Sequence, residues 1–158
     1  MAIIRPATPA DLPTLGILAA QLVRQHHGFD PLRFFLVEPL EEGYASWLGK
    51  ELKKQGTVIL VAEQDGVVVG YTYGSMVERD WNALLDACGA IHDVFIDAQA
   101  RRGGVATQLV KATLARFVEL GAPRVVLSTA TKNVAAQRFF ERLGFRSTMI
   151  EYTRESDR

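Results

Sequence analysis

The 158-residue chain contains a single cysteine, Cys88, so no intrachain disulfide can form. An unpaired thiol favours a reducing compartment such as the cytoplasm, and a lone cysteine is usually a small buried hydrophobic residue rather than a reactive thiol. No stretch approaches the roughly 18 uninterrupted apolar residues of a membrane span. The first ten residues, which include Pro6 and Pro9, have too short an apolar run for a secretory signal. We therefore expect no membrane association.

The chain also lacks an excess of either charge, with 18 Lys and Arg against 18 Asp and Glu. Binding to nucleic acid or to an anionic membrane surface depends on excess positive charge, so neither is expected as the main partner. The hydrophobic content of 48% can fill one sizeable core. Together with the length, it predicts a single domain over residues 1–158.

Hydrophobic periodicity and turn residues predict the element order β-α-α-β-β-β-α-β-α-β. Thr8 should cap a first helix that fades at Gly28 and Pro31, and Asp65-Gly66 should form a hairpin turn. The other predicted elements are a strand from Ile3, a helix over 41–55, a strand over 90–97, a helix from Ala106 to Gly121, a strand over 124–131, a helix over 133–143 and a last strand over 145–155. This order is typical of a mixed α+β or α/β fold with about six to seven strands in one sheet and helices on both faces. The unit at 90–131 should be a right-handed crossover between parallel strands.

The most informative junction is the strand–loop–helix segment around RRGGVA, residues 101–106. Glycines allow the backbone to approach a ligand closely, and a helix N-terminus offers N–H donors and partial positive charge. Arg101 and Arg102 add full charges, and Thr107 could add a hydroxyl, so the junction favours a phosphate or pyrophosphate. It matches neither the P-loop nor the dinucleotide fingerprint. The alternative to a phosphate site is a flexible glycine loop whose arginines are simply solvated.

These residues resemble the [Arg/Gln]-x-x-Gly-x-[Gly/Ala] signature of the GNAT superfamily of N-acetyltransferases, with Arg101, Gly104 and Ala106 at its fixed positions. A second stretch, NVAAQRFFERLGF at 133–145, resembles the family's Asn-x-x-Ala-x-x-[Phe/Leu]-Tyr-Glu-x-x-Gly-Phe pattern at every fixed position but one. The exception is Phe140, which stands where the family often has a catalytic tyrosine. The resemblance covers residues 58–153 and implies a GNAT-like central sheet.

The resemblance implies acetyl-CoA as the co-substrate. The pyrophosphate would be held by the backbone of the loop, and the pantetheine arm would pair with the central strand as an added strand. A backbone N–H of that strand would also polarise the thioester carbonyl. The cofactor-binding residues implied are Val94, Phe95, Ile96, Arg101, Arg102, Gly103, Gly104, Val105, Ala106, Thr107, Asn133 and Phe140.

Phe140 leaves the departing thiolate without the family's usual proton donor. A thiol has a pKa near 8.5, so its thiolate leaves tolerably at neutral pH unaided. Alternative donors are Tyr73, Cys88, Ser128 and Tyr152. Phe140 itself either packs in a core or forms a wall facing the cofactor, and Asn133 is suited to cap its own helix as well as to lie near the pantetheine.

His92 and Asp93 are the candidate catalytic residues for removing a proton from the amine. Histidine changes charge in the physiological pH range, and the family often relays a proton from an acidic residue near this position. Strict strand alternation places His92 on one face with Val94 and Asp93 on the other with Phe95. A purely structural histidine is the competing interpretation, and Glu78 is a weaker candidate base.

The acceptor site is expected at the connection between the first two helices, HHGFDPLRF at 26–34. His26, His27 and Asp30 match no zinc spacing, so no metal is expected. The resulting hypothesis is an N-acetyltransferase that acts on a primary amine of a small molecule or peptide by direct attack in a ternary complex. The alternatives are a catalytically silent acyl-CoA-binding module and an unrelated nucleotide-phosphate binder. Family members are often dimers, so a homodimer is one assembly the resemblance implies.

Overall fold

The computed structural model describes residues 2–157. They divide into two compact units, residues 2–22 with 37–128, and residues 23–36 with 129–157. The first unit contains every strand, and the second contains the last helix and the C-terminal segment. Within residues 2–157, no helix has the length and apolar character needed to cross a membrane.

The element order agrees with the predicted order as far as the last helix. The elements are β1 (Ile3–Pro6), α1 (Leu12–Phe29), α2 (Leu40–Glu51), β2 (Thr57–Gln64), β3 (Val67–Val77), β4 (Cys88–Ile96), α3 (Val105–Glu119), β5 (Val125–Val126) and α4 (Val134–Arg142), with 3₁₀ turns at Pro9–Asp11 and Ala98–Ala100. The mixed α+β class is confirmed. The strand count is not: the described residues form five strands rather than six to seven.

Two predicted strands account for this difference. The strand predicted over 124–131 is paired only at Val125–Val126, and the strand predicted over 145–155 is not formed among the described residues. Alternating β-prone residues show that a segment can enter a sheet, but a strand exists only where a neighbour supplies hydrogen bonds. The tertiary structure decides which strand lies beside a segment, and the local sequence pattern does not contain that information.

The first helix begins and ends where the sequence predicts. Asp11 Oδ2 accepts hydrogen bonds from Thr8 N (2.8 Å) and Thr8 Oγ1 (3.2 Å), which closes the expected capping turn. α1 ends at Phe29, between Gly28 and Pro31, as expected from these two helix-breaking residues.

The sheet has the order β1-β2-β3-β4-β5, with the first three pairs antiparallel and the last parallel. The parallel β4–β5 pair is the relationship predicted for the 90–131 unit. The hairpin turn between β2 and β3 is also as predicted, since Asp65 and Gly66 have positive φ values of 51° and 77°. The sheet is therefore mixed, with β5 at one edge.

Helices of the first unit cover both faces of this sheet. One buried cluster joins α1 and α2 to β2, β3 and β4 and comprises Leu15, Leu18, Ala19, Leu48, Ile59, Val61, Tyr71, Tyr73 and Phe95. The other joins α3 to the opposite face and comprises Val58, Leu60, Ala62, Ile91, Ile96, Ala100, Val105, Leu109 and Phe117. Phe117 packs so closely on the sheet that a Cβ at Gly89 would lie 2.7 Å from its ring. We refer below to the α1/α2 face and the α3 face of the sheet.

Candidate active site

A gap opens along one side of β4, the strand that the sequence predicts as the central one. β5 pairs with β4 only at Gly89 and Ala90. From Ile91 to Ile96, β4 continues to pair with β3 on its other side, while no strand among residues 2–157 lies along the side towards β5. Backbone groups of Val94–Ile96 that point away from β3 can therefore bind an extended ligand as an added strand would.

A β-bulge in β4 changes the orientation of the two candidate catalytic side chains. Tyr73 pairs with Asp93 but the next residue, Gly74, pairs with Ile91, which leaves His92 as the extra residue. The His92 ring lies 4.9 Å from the Tyr73 ring, on the α1/α2 face. The predicted opposite orientation of His92 and Asp93 is therefore wrong, because a bulge breaks strict alternation. Both side chains lie on one face.

Asp93 is held by a buried tyrosine of β3. Tyr71 is fully buried and its hydroxyl donates to Asp93 Oδ2 at 2.9 Å. Burial, together with the negative charge of Asp93, raises the pKa of Tyr71 well above its usual value. Tyr44 of α2 is also affected, since burial and then the Asp93 charge raise its pKa. The carboxylate thus lies near two tyrosines, and the hydroxyl that Tyr71 donates to it does not ionise near neutral pH.

His92 is anchored from the neighbouring strand. Its Nε2 lies 2.8 Å from Ser75 Oγ, while the ring itself remains exposed. An exposed imidazole with one nitrogen fixed by a hydroxyl can exchange a proton with an incoming group through the other nitrogen. Glu78, the weaker candidate, lies beyond the end of β3 and is exposed.

Glu51 and Tyr73 belong to this network, although sequence analysis did not identify Glu51. Tyr73 donates its hydroxyl to Glu51 Oε1 at 2.6 Å, and Lys54 Nζ lies 2.5 Å from Glu51 Oε2. Hydrogen bonds from Lys54 and Tyr73 lower the pKa of Glu51 despite its burial. Leu48 and Glu51 lie three residues apart on the buried side of α2, and this spacing was the available signal.

The loop after β4 folds back onto the end of the strand. Arg101 Nε donates to Ile96 O at 3.0 Å, and its guanidinium carbon lies 5.4 Å from the centre of the Phe95 ring. Arg101 therefore joins the loop to the strand end, in addition to placing positive charge there. Arg102 is exposed.

The loop enters α3 through two glycines in left-handed conformations. Gly103 has φ 110°, and Gly104, the N-cap, has φ 77° and ψ 14°. Both conformations favour glycine, and no atom of the chain lies within 4 Å of a Cβ built at either position. Gly104 has no side chain to cap the helix, so the first N–H groups of α3, at Val105 to Thr107, have no side-chain cap. The arrangement fits a phosphate or pyrophosphate.

The second unit contains the two other predicted cofactor residues. Asn133 Oδ1 accepts from Ala136 N at 3.2 Å, which makes it the N-cap of α4 as expected. Phe140 is buried and makes edge-to-face contacts with Phe139 (5.1 Å) and Phe145 (5.5 Å between ring centres). Packing within an aromatic cluster is therefore part of its role.

Residues 26–34 were expected in the connection between the first two helices, but residues 26–29 form the last turn of α1. The polar groups of residues 26–34 are engaged locally. His27 Nδ1 lies 2.8 Å from Phe34 O, and the His26 ring contacts the Phe34 ring at 5.1 Å. Asp30 Oδ1 accepts from the backbone of Leu32 and Arg33. Across residues 2–157, no group of three potential ligands is placed to hold a metal ion.

The alternative proton donors differ sharply in their surroundings. Cys88 is fully buried, and burial raises the pKa of its thiol. The Tyr73 hydroxyl is donated to Glu51, and burial and this hydrogen bond raise its pKa. Ser128 is exposed, and Tyr152 is 89% exposed in the C-terminal segment. The raised pKa values of Cys88 and Tyr73 disfavour these two groups as proton donors near neutral pH.

The sheet is mixed, a gap lies beside β4, and β4 leads into a glycine loop at the N-terminus of α3. These features define a class of α+β proteins suited to extended ligands that carry a phosphate group. Residues 21–145 match the model of the acetyltransferase (GNAT) family, and the chain belongs to that family.

Similarity to individual proteins supports the assignment to this family. Human N-acetyltransferase 8 is 30% identical over 97 residues, which cover 61% of this chain and 42% of the relative. An uncharacterized N-acetyltransferase of Methanocaldococcus jannaschii is 36% identical over 91 residues, covering 57% of this chain and 53% of the relative. The matches thus span about half the length of these curated relatives. An aminoglycoside N-acetyltransferase solved in complex with CoA has the same fold, with a TM-score of 0.73 at 19% identity over 98% of this chain and 95% of that one.

Proposed function

We propose that the chain is an acetyl-CoA-dependent N-acetyltransferase that acetylates a primary amine of a small molecule or a peptide by direct attack in a ternary complex. The observation that carries this proposal is the open side of β4 from Ile91 to Ile96, which leads into the glycine loop at the start of α3. Family membership supports it, as do the N-acetyltransferase names of both curated relatives.

Acetyl-CoA would supply the activated thioester. The N–H groups from Arg102 to Thr107 would hold the pyrophosphate, and Val94, Phe95 and Ile96 would bind the pantetheine arm through their backbone. Because the loop follows the end of β4, this orientation directs the acetyl group towards Asp93. The family motif also implies a role in cofactor binding for Asn133 and Phe140.

His92 and Asp93 would prepare the amine for attack. The negative charge of Asp93 would favour an ammonium group beside it, and the exposed imidazole of His92 would accept the ammonium proton. A backbone N–H of β4 would stabilise the oxyanion; loss of one such donor typically costs about 10²–10³ in rate. Departure of the thiolate would proceed without a side-chain donor, because Phe140 has no proton to give and a free thiol has a pKa of about 8.5.

The acceptor is proposed to contact residues 26–34, at the end of α1 and the start of the connection to α2. An aminoglycoside panel is a reasoned start for a screen, since the solved structure of similar fold that contains CoA is an aminoglycoside N-acetyltransferase. Small amines and peptide N-termini complete the panel. We further propose that the two units fold as one acetyltransferase domain, that the single cysteine reflects residence in the cytoplasm, and that neither nucleic acid nor membrane is a principal partner.

Ligand-dependent thermal shifts test the cofactor assignment. At 100 times its dissociation constant, acetyl-CoA should stabilise the protein by about 2.7 kcal/mol, or roughly 5–11 °C at this size, whereas ATP should not. Release of free CoA thiol in the presence of an amine then separates an enzyme from a silent acyl-CoA-binding module. Binding without thiol release across the whole panel would favour the module, and absence of an acetyl-CoA shift would reject both.

A further inference from the structure

The carboxylate of Glu51 is buried at a position where a negative charge is unfavourable. Glu51 is the last residue of α2 and is only 5% exposed. Burial removes the hydration of a carboxylate, and the C-terminal end of a helix carries partial negative charge, so both facts count against ionisation. Hydrogen bonds from Lys54 and Tyr73 nevertheless lower the pKa of Glu51. A buried charge that is kept against these two costs contributes little to stability, which indicates another role.

Tyr73 connects this carboxylate to the candidate catalytic histidine. The buried Tyr73 donates its hydroxyl to Glu51 Oε1 at 2.6 Å, a short distance that is typical of a hydrogen bond to a charged acceptor. The Tyr73 ring lies 4.9 Å from the His92 ring, with an angle of 46° between the two planes. The hydrogen bond therefore holds one end of the tyrosine while its ring contacts the imidazole.

His92 depends on side-chain contacts for its orientation. It is the extra residue of the β4 bulge, so no residue of β3 is its partner in the strand register. Ser75 Oγ lies 2.8 Å from Nε2 of the ring, but a single hydrogen bond still permits the imidazole to tilt about it. The Tyr73 ring supplies a second contact. The two contacts together determine where the other ring nitrogen points.

We infer that Glu51 is a positioning residue for acetyl transfer: its carboxylate fixes the Tyr73 ring, and that ring holds the His92 imidazole in the orientation that accepts a proton from the amine. This inference rests on the function proposed above, in which His92 is the proton acceptor. The competing role is structural, a hydrogen bond that only attaches α2 to β3. The two roles predict different effects of the same substitutions.

A double substitution separates positioning from stability. Glu51→Leu combined with Tyr73→Phe removes both partners of the hydrogen bond, a change that costs little stability because neither is left buried and unpaired. Lys54 is exposed and remains hydrated. We expect kcat for thiol release to fall by about 10- to 100-fold, the loss that corresponds to one hydrogen bond to a charged group. The KM for acetyl-CoA should not change, since the cofactor is proposed to bind through backbone groups of β4 and the loop.

Thr72→Val is the matched control for this double variant. Thr72 precedes Tyr73 in β3, and its buried hydroxyl lies 2.7 Å from Thr113 Oγ1 on the α3 face of the sheet. The control therefore also removes a buried hydrogen bond of β3, but on the side away from His92, and it should keep the wild-type kcat. Circular dichroism checks that both variants are folded. An unchanged kcat in the double variant, or an equal loss in Thr72→Val, overturns the inference.

NMR of the imidazole ring tests the positioning without any need for activity. The chain has three histidines, so the ¹³C–¹H signal of the His92 ring can be assigned by its loss in His92→Gln. Glu51→Leu should shift this signal, because a Tyr73 ring that is no longer held changes the ring current at His92. Glu51→Gln also lacks the charge but still accepts a hydrogen bond, so its signal should stay close to that of the wild type and its kcat should exceed that of Glu51→Leu. A signal that Glu51→Leu leaves in place, or a Glu51→Gln that behaves like Glu51→Leu, overturns the inference.

Failure of the inference differs from failure of the proposed function. If the wild type releases no thiol with any amine, the proposed function fails, and the catalytic role of Glu51 fails with it. If the wild type is active and the double variant matches it, the N-acetyltransferase assignment stands and only the positioning role of Glu51 is rejected.

Discussion

Gly104 provides the sharpest test of the phosphate site, because its substitution has two separable effects. Its φ of 77° is a left-handed conformation that costs about 1–2 kcal/mol for an L-amino acid. Gly104→Ala should therefore lower Tm by roughly 2–8 °C for a chain of this length. No protein atom lies within 4 Å of the added Cβ, so any further effect in the presence of ligand comes from the ligand.

Gly121, just after the other end of α3, is the matched control. Its φ is 83°, and a Cβ there also meets no atom within 4 Å. Gly121→Ala should thus cost about the same 1–2 kcal/mol in stability while leaving the proposed phosphate site intact. The two variants differ only in whether the new methyl group points into that site.

Calorimetric titration with acetyl-CoA measures the difference. We expect Gly104→Ala to bind at least about tenfold more weakly, a loss of about 1.4 kcal/mol, and the larger Gly104→Val to abolish binding. Gly121→Ala should bind like the wild type. Equal dissociation constants for Gly104→Ala and Gly121→Ala would refute the placement of the phosphate at this loop, whatever their melting temperatures.

Three further predictions concern single side chains. Phe140→Tyr should raise kcat, measured by thiol release, but by less than the roughly 10²–10⁴ that a well-placed general acid contributes. Phe139→Tyr is the control, and a lower Tm with unchanged kcat would show that Phe140 only packs. His92→Gln should lower kcat/KM by about 10²–10⁴, and an unchanged kcat/KM would show that His92 is structural. Asp11→Asn should lower Tm at pH 7, because Arg5 holds the pKa of Asp11 below its usual value and such a group stabilises the fold only while it is ionised. Melting curves from pH 7 downwards should show this deficit shrinking below about pH 4, and a deficit that is constant with pH would contradict the ionic origin.

The sequence determined the features that depend on residues close together in the chain. The Thr8 capping turn, the Asp65-Gly66 hairpin and the Asn133 cap each require only a few neighbouring residues, and each was predicted. The GNAT motif at 101–106 belongs to the same category, since a strand, two glycines and a helix start are local features. Family membership followed from these local patterns.

The tertiary structure decided what depends on residues far apart. The bulge that turns His92 to the same face as Asp93 arises from the register between β3 and β4, which no pattern within β4 reveals. Glu51 joins the site only because Tyr73, 22 residues away, donates a hydrogen bond to it. The strand predicted over 145–155 has the residues to form but no partner within the described chain. A local pattern shows that a segment is able to form a strand. Only the tertiary fold determines whether a neighbouring strand is present to pair with it.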